Sequence, residues 1–238
     1  GGVTATILFG MLIARFLGQG PRFAFLSAGS VASCGAAAAM AISAILPKDE
    51  RTEERLVFTV VGVTLLSTIA MIAYPIFTDF IELGPLLAGV FLGATIHDVA
   101  QVVGAGFSVS EETGDIATVV KLIRVAMLAP VILVASLILR RYITNSDSLE
   151  RPPIIPGFVI AFVVLVAMNS LSLFPAIVIA FAAETSRWAL LTAIAAVGLK
   201  TSLRDVIDVG GTAIALLVIE TVFIAALTTT ILLALSDG

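Results

Sequence analysis

Residues 56–77 read LVFTVVGVTLLSTIAMIAYPIF, without one charged side chain. An apolar run of about 20 residues is what a helix needs to cross the hydrocarbon of a bilayer. The run has companions. Residues 155–171 carry no charge, 188–203 carry only Lys200, and 212–235 carry only Glu220. Residues 116–139 carry Lys121 and Arg124. The only backbones that span lipid are helices and closed barrels. A barrel alternates apolar and polar residues in segments of about ten, and these runs are continuous. With 59% hydrophobic and 13% charged residues and a mean hydropathy of +1.14, the chain lies far from the roughly 25% charged content of soluble domains. The expected fold class is an all-α polytopic membrane protein, a helical bundle forming one transmembrane domain over residues 1–238.

Other classes find little support. The net charge of −4 is spread over loops and no basic block suggests nucleic acid. Cys34 is the only cysteine, so no disulfide forms within the chain. There is no HExxH, Walker loop or GxSxG, and one histidine beside one aspartate falls short of a zinc ligand set. No enzyme activity, metal or cofactor is expected. No charged segment precedes the first apolar run, so no signal peptide is expected, and the opening GGVTATILFG is expected to continue sequence lying upstream.

Lys and Arg favour cytoplasmic loops, and here they set a conflict. Residues 47–55, 140–151 and 200–204 are rich in Lys and Arg, whereas 78–84, 107–115 and 170–175 have none. If 85–106 crosses once, the later loops fall on the wrong sides. If it enters and returns, they obey. Residues 23–46 behave alike, since Arg15, Arg22 and the 47–55 loop place both ends in the cytoplasm. The two segments are expected to be re-entrant hairpins from opposite faces; the alternative is broken helices that cross fully with the charge bias overruled. Either way the backbone is interrupted within the membrane, which is tolerated where it is buried or lines a cavity. Paired interrupted segments are the pointer to a transporter built on an inverted repeat. Beyond them, 175–183 is expected to be an interfacial helix ending near ETSR.

The breaks carry the candidate chemistry. TIHD (95–98) has the form of a capping box, Thr95 and Asp98 exchanging bonds with a half-helix starting at Ile96. His97, Asp98 and Gln101 would then share a flank. At the other break Ser33, Cys34 and Gly35 precede four alanines, and Ser33 is placed to cap the next half-helix. Two half-helix N-termini near mid-membrane would offer free amides and positive dipole ends to an anion. Lys121 and Arg124, three apart on one face, either snorkel to the interface or have a functional role, balancing Asp98 or attracting an anion. Ionisable groups within a membrane span default to function, although each of these residues also has a packing role open to it. Glu220 belongs to no motif.

The stretches AGSVASCGAAAA (28–39), GATIHDVAQVVGAG (93–106) and VVKLIRVAMLAPVIL (119–133) together resemble the YeiH-like bacterial inner-membrane proteins, often named sulfate exporters. The similarity runs over nearly the whole chain. It departs at SVASCG, where relatives often have Ser-Ile-Cys-Gly. The resemblance implies additional membrane segments before the point matching Gly1. It also implies kinship with the sodium/proton antiporter and bile-acid symporter superfamily, with its inverted repeats and broken helices, and a multi-pass inner-membrane location. The expected function is secondary transport of a small anion, a sulfate-like oxyanion or sulfonate, coupled to protons or sodium. The expected substrate-binding residues are Ser33, Cys34, Gly35, Thr95, His97, Gln101, Lys121 and Arg124; the expected coupling residues are Asp98 and His97. An anion channel and a non-transporting membrane subunit are the rival readings. Partners are the anion, the coupling ion and the bilayer, with homo-oligomerisation left open.

Overall fold

The computed structural model describes residues 1–143, 157–200 and 210–236; the basic stretch 140–153 therefore lies largely, and 201–204 wholly, outside the described residues. Eleven helices and no strand occur among the described residues. They are α1 (Gly2–Phe16), α2 (Pro21–Ala32), α3 (Ala36–Ile45), α4 (Thr52–Phe80), α5 (Pro85–Thr95), α6 (Val99–Val109), α7 (Glu111–Ala126), α8 (Leu128–Ile143), α9 (Gly157–Ser170), α10 (Ala176–Lys200) and α11 (Gly211–Ser236). Among the described residues three apolar stretches are long enough to cross a membrane: Thr52–Phe80, Glu111–Leu139 and Gly211–Leu235. The second joins α7 to α8 through a turn at Met127. Pro130 lacks the amide that would bond to the carbonyl four residues back, which locally loosens the helix there.

Both interrupted segments fold back on themselves. The breaks fall at residues 33–35 and 96–98, and each flanking helix is 10 to 12 residues long, about 15–18 Å or half the hydrocarbon. The second segment packs along α7. At its start the Thr113 hydroxyl donates to the Pro85 carbonyl at 3.3 Å. At its end a Cβ added to Gly106 would lie 2.8 Å from the Gly114 Cα. Its break meets α7 two turns further on, where Lys121 Nζ donates to the Ile96 carbonyl at 2.9 Å. So α5 runs alongside α7 in the same direction and α6 returns against it, with both ends at the same level. Glycines make this closeness feasible: a Cβ at Gly89 would sit 2.8 Å from Ile116 Cβ. Small residues are how membrane helices approach without a hydrophobic driving force between them.

The first segment does the same from the other end. Arg22, in the first turn of α2, pairs with Asp49, just beyond α3, at 3.2 Å. Asp49 also pairs with Arg55 of α4 at 3.0 Å and accepts from the Arg51 amide and the Thr52 hydroxyl. Slight burial pushes its carboxyl up, but the Thr52 hydroxyl, Arg55, the Arg51 amide and Arg22 together hold it below its ordinary range. This cluster ties the open end of the first hairpin to the start of α4. The open end of the second hairpin follows the C-terminal end of α4, where the Leu83 amide donates to the Thr78 carbonyl. The 29 residues of α4 separate the two mouths by about 43 Å, and the tips meet between them. Two apolar clusters flank the meeting point: one around Phe23, Ile42, Phe58 and Leu217, the other around Phe91, Leu92, Ile96 and Leu232.

One expected element is corrected. Residues 175–183 are not a separate interfacial helix: α10 continues through ETSR to Lys200, and Trp188 Nε1 donates to Glu184 Oε1 at 2.8 Å across one turn. That contact bridges polar residues read from sequence as a stop.

The hairpin geometry makes a topological prediction. Asp79 and Glu112 are exposed and flank the mouth of the second hairpin, whereas Glu50 lies by the mouth of the first. Single cysteines at Asp79 and Glu112, in a Cys34→Ser background, should react with impermeant maleimide from one side and a cysteine at Glu50 from the other. Opposite labelling of the 79 and 112 positions would require the 85–109 segment to cross.

Candidate functional site

Breaking a helix inside an apolar bundle strands up to four carbonyls at one end and four amides at the other. At the paired tips the carbonyls are served by α7. Arg124 donates five bonds: Nε and Nη2 to Ala32 O at 3.2 and 2.8 Å, Nη2 to Val31 O at 3.0 Å, and Nη1 to Ala94 O at 2.6 Å and Gly93 O at 3.4 Å. Lys121 Nζ bridges Ser33 O at 2.7 Å and Ile96 O at 2.9 Å. Both side chains are buried, Lys121 fully, so neither snorkels. Nor does either face a carboxylate: no ion pair among the described residues includes them. Each therefore holds the C-terminal ends of α2 and α5 at once. Those two ends contribute about half a negative charge apiece, less than the two cations carry.

The amide ends differ. Asp98 is the N-cap of α6, its Oδ1 accepting from the amides of Ala100 at 2.8 Å and Gln101 at 3.2 Å. The helix accordingly starts at Val99, and the expected capping box does not form. Thr95 stays in α5 and its hydroxyl donates to Phe91 O at 2.7 Å, because a threonine still inside a helix satisfies itself on the carbonyl four back. The N-terminus of α3 has no side-chain cap. The expected cap from Ser33 is absent: its Oγ is buried and without a partner. Gly35 occupies the N-cap position at φ 61°, ψ −119°, a conformation that side chains resist. Cys34 is buried and free beside it.

His97 sits against this open end. A Cβ added to Gly35 would lie 3.4 Å from His97 Cβ. The ring is fully buried and its Nε2 lies 3.0 Å from Thr221 Oγ1 of α11. The Thr221 hydroxyl already donates to Leu217 O at 2.8 Å, which assigns the bridging hydrogen to Nε2. Nδ1 is buried without a partner. Because His97 precedes α6, it does not share a helical flank with Gln101, which turns to α4 and donates to Thr68 Oγ1 at 2.9 Å; its Oε1 is buried without a partner.

The structure thus gathers Ser33, Cys34, Gly35, His97, Lys121 and Arg124 at one point, places Asp98 and Gln101 on its edge, and turns Thr95 into α5. Lys121 and Arg124 act on carbonyls, not on Asp98. Sequence reasoning passed over Ser67, whose Oγ accepts from the amides of His97 at 3.2 Å and Asp98 at 3.0 Å, and over Thr68 and Thr221. The available signal was a Ser-Thr pair in the middle of an otherwise apolar span.

Two substitutions test these assignments. Arg124→Lys keeps the charge but loses the fork and should cost about 2–4 kcal/mol by leaving carbonyls unpaired, read as lower thermal melting in detergent. An unchanged melting curve would mean that Arg124 does not hold the helix ends together. Asp98→Ala should cost about 1 kcal/mol as a lost cap, while Asp98→Asn stays near wild type.

The match to the family model described as "Conserved hypothetical protein 698" extends over residues 2–234. The UPF0324 membrane protein TauZ of Paracoccus denitrificans is 58% identical over 229 residues, 96% of this chain and 68% of that protein. The UPF0324 membrane protein RB0971 of Rhizobium meliloti (strain 1021) is 57% identical over 94% of this chain and 65% of its own length. A Caulobacter vibrioides UPF0324 membrane protein is 36% identical over 92% of the chain and 47% of its own length. The chain spans about two thirds of the length of the first two relatives. No solved structure matches. The buried tips, the apolar spans and these matches lead to one assignment: the chain belongs to the UPF0324 family, which the YeiH-like resemblance anticipated, and is a multi-pass protein of the bacterial inner membrane.

Proposed function

We propose that this protein is a secondary transporter of a small anion, a sulfate-like oxyanion or a sulfonate, taken up between the tips of the two hairpins. The observation that carries the reading is the charge arrangement at the tips. Two buried cations without a carboxylate partner lie beside a helix N-terminus that no side chain caps. Such an end presents amides and positive partial charge. Ser33 Oγ and His97 Nδ1, both buried and unpartnered, would complete the donor set. An anion there would be bound by the α3 amides and the Ser33 hydroxyl, while Lys121 and Arg124 supply field rather than contact.

His97 gives the site a proton dependence. With Nε2–H committed to Thr221, a neutral ring turns a bare lone pair from Nδ1 toward its surroundings, which repels an anion. A second proton converts Nδ1 into a donor. The anion is then bound together with a proton at His97, while Asp98 keeps its place as the α6 cap. The opposed hairpins support the inverted-repeat form of alternating access.

Proteoliposomes of the full-length protein, supplied with sulfate, sulfite or taurine across a pH jump, test the reading. A transporter shows saturable uptake and counterflow; flux that is linear in concentration indicates a channel, and no flux indicates a subunit. With a transported anion in hand, Ser33→Ala should raise KM about tenfold or more, the cost of one hydrogen bond to a charged group. His97→Gln should flatten the pH dependence of uptake, because glutamine takes up no proton. A wild-type pH profile in that variant would return His97 to packing.

A further inference from the structure

The carboxyl of Glu220 lies outside the tip site and has no part in the anion binding proposed there. It is in the body of α11, fully buried. Oε1 accepts from the Ser27 hydroxyl of α2 at 3.0 Å, and Oε2 is buried with no hydrogen-bond partner. The space it fills exists because α1 has a glycine there: a Cβ on Gly10 would lie 3.0 Å from the Glu220 carboxyl carbon. One turn along, Phe9 of α1 stacks on Phe223 at 3.7 Å between ring centroids, so the carboxyl is walled by apolar packing.

The groups facing it from each neighbouring helix are few. From α1 comes Gly10, and from α2 come Ser27 and Ala28. Where α4 meets α11 it offers Gly62 against Leu217, and α5 contributes Phe91 and Leu92 to the cluster that holds Leu232. The next residue on α11, Thr221, holds the titratable ring of His97. Lys121 and Arg124 are turned to carbonyls. No ion pair among the described residues includes Glu220.

A carboxylate with one neutral donor in a dry site is costly, and the neutral acid is not. Were Glu220 only a strut between helices, an amide or hydroxyl would make the Ser27 bond at less cost, and a second oxygen without a partner would serve nothing. We propose that Glu220 is a proton-binding site of the bundle. It holds one proton as the carboxylic acid while α1 and α2 close over α11. It releases that proton to water when they part, and water takes the place of the Ser27 hydroxyl as donor to the carboxylate. Ser27 joins Glu220 to the first hairpin, and the next residue on α11, Thr221, holds His97 of the second. That the proton drives anion movement rests on the proposed transport function; the binding of the proton does not.

Infrared difference spectroscopy of the full-length protein in proteoliposomes, titrated between about pH 5 and 10 to cover the range documented for buried carboxyls, separates the two. A protonated-carboxyl stretch should be present at low pH and lost at high pH. It should be absent from Glu220→Gln and restored by Glu220→Asp, with Glu220→Gln melting as the wild type does. Dicyclohexylcarbodiimide, followed by mass spectrometry of the wild type, should modify Glu220 in the low-pH form only, which decides the question even if the glutamine variant fails to fold. A band that survives Glu220→Gln, or a Glu220 band unchanged across the range, overturns the inference. In transport, Glu220→Gln should lower uptake of the carried anion against its gradient more than tenfold under an imposed proton gradient; wild-type uphill uptake would overturn the coupling. Should the wild type move none of sulfate, sulfite and taurine while the Glu220 band titrates, the anion reading falls and the proton site stands.

Discussion

Two cations on one face of α7 make the rest of the architecture feasible. A helix that stops inside a bundle leaves carbonyls that neither lipid nor apolar side chains can satisfy, at roughly 1–3 kcal/mol for each buried group. Here two helices stop at the same depth from opposite directions, and Arg124 and Lys121 reach the carbonyls of both. A guanidinium suits the wider task because its planar fork offers five donors in fixed directions. The ammonium, with three rotatable donors, suits the narrower bridge between Ser33 O and Ile96 O. The cost of burying each charge is offset by the ends it holds, and the cost of each broken helix by the charge that holds it.

The two tips are alike at their carbonyl ends and unlike at their amide ends. Asp98 closes α6, while α3 begins at a glycine with no cap. If both ends were capped by carboxylates the cations would be close to balanced. Leaving one end open concentrates the unbalanced positive charge beside Gly35, with Ser33 and His97 as the nearest uncommitted polar groups. In the proposed transporter this asymmetry, more than the number of polar residues, would set the sign of the bound ion.

Most of the fold was legible in the chain. Run length gives the spans at 56–77, 116–139 and 212–235. It does not give those expected at 155–171, where the helix has 14 residues, and at 188–203, which joins a helix starting at Ala176. The distribution of Lys and Arg among the loops agrees with the return of the two interrupted segments. The positions of the breaks at Gly35 and near His97 were also legible, because Gly, Ser, Thr and Asp cluster there within apolar runs. The partners were not. Local spacing suggested that Thr95 and Asp98 cap each other, but tertiary contacts with Ser67 settle where the chain turns, and α6 starts three residues later. For Lys121 and Arg124 the sequence offers a carboxylate, an anion or the interface as partners, since it does not show that backbone carbonyls 25 to 93 positions away converge on them. The polar groups of α4 and α11, Ser67, Thr68 and Thr221, lie in spans whose periodicity says only that they are apolar.

The strengths of these contacts differ by region, and the difference divides the bundle. The tips are tied to α7 by seven charge-assisted bonds, five from Arg124 and two from Lys121, and by glycine-mediated close packing of α5 and α6. They are tied to α4 and α11 by neutral contacts: Ser67 to two amides, Thr68 to Gln101 and Thr221 to His97. Bonds to charged groups are worth about 1.5–3 kcal/mol each and neutral ones about 0.5–1.5. Displacement that kept the first set and exchanged the second would therefore cost far less than the reverse. The seam of least resistance runs between the hairpin tips with α7 on one side and α4 with α11 on the other. His97, held by Thr221 of α11, lies on that seam, so the proton proposed there would act where the bundle is weakest.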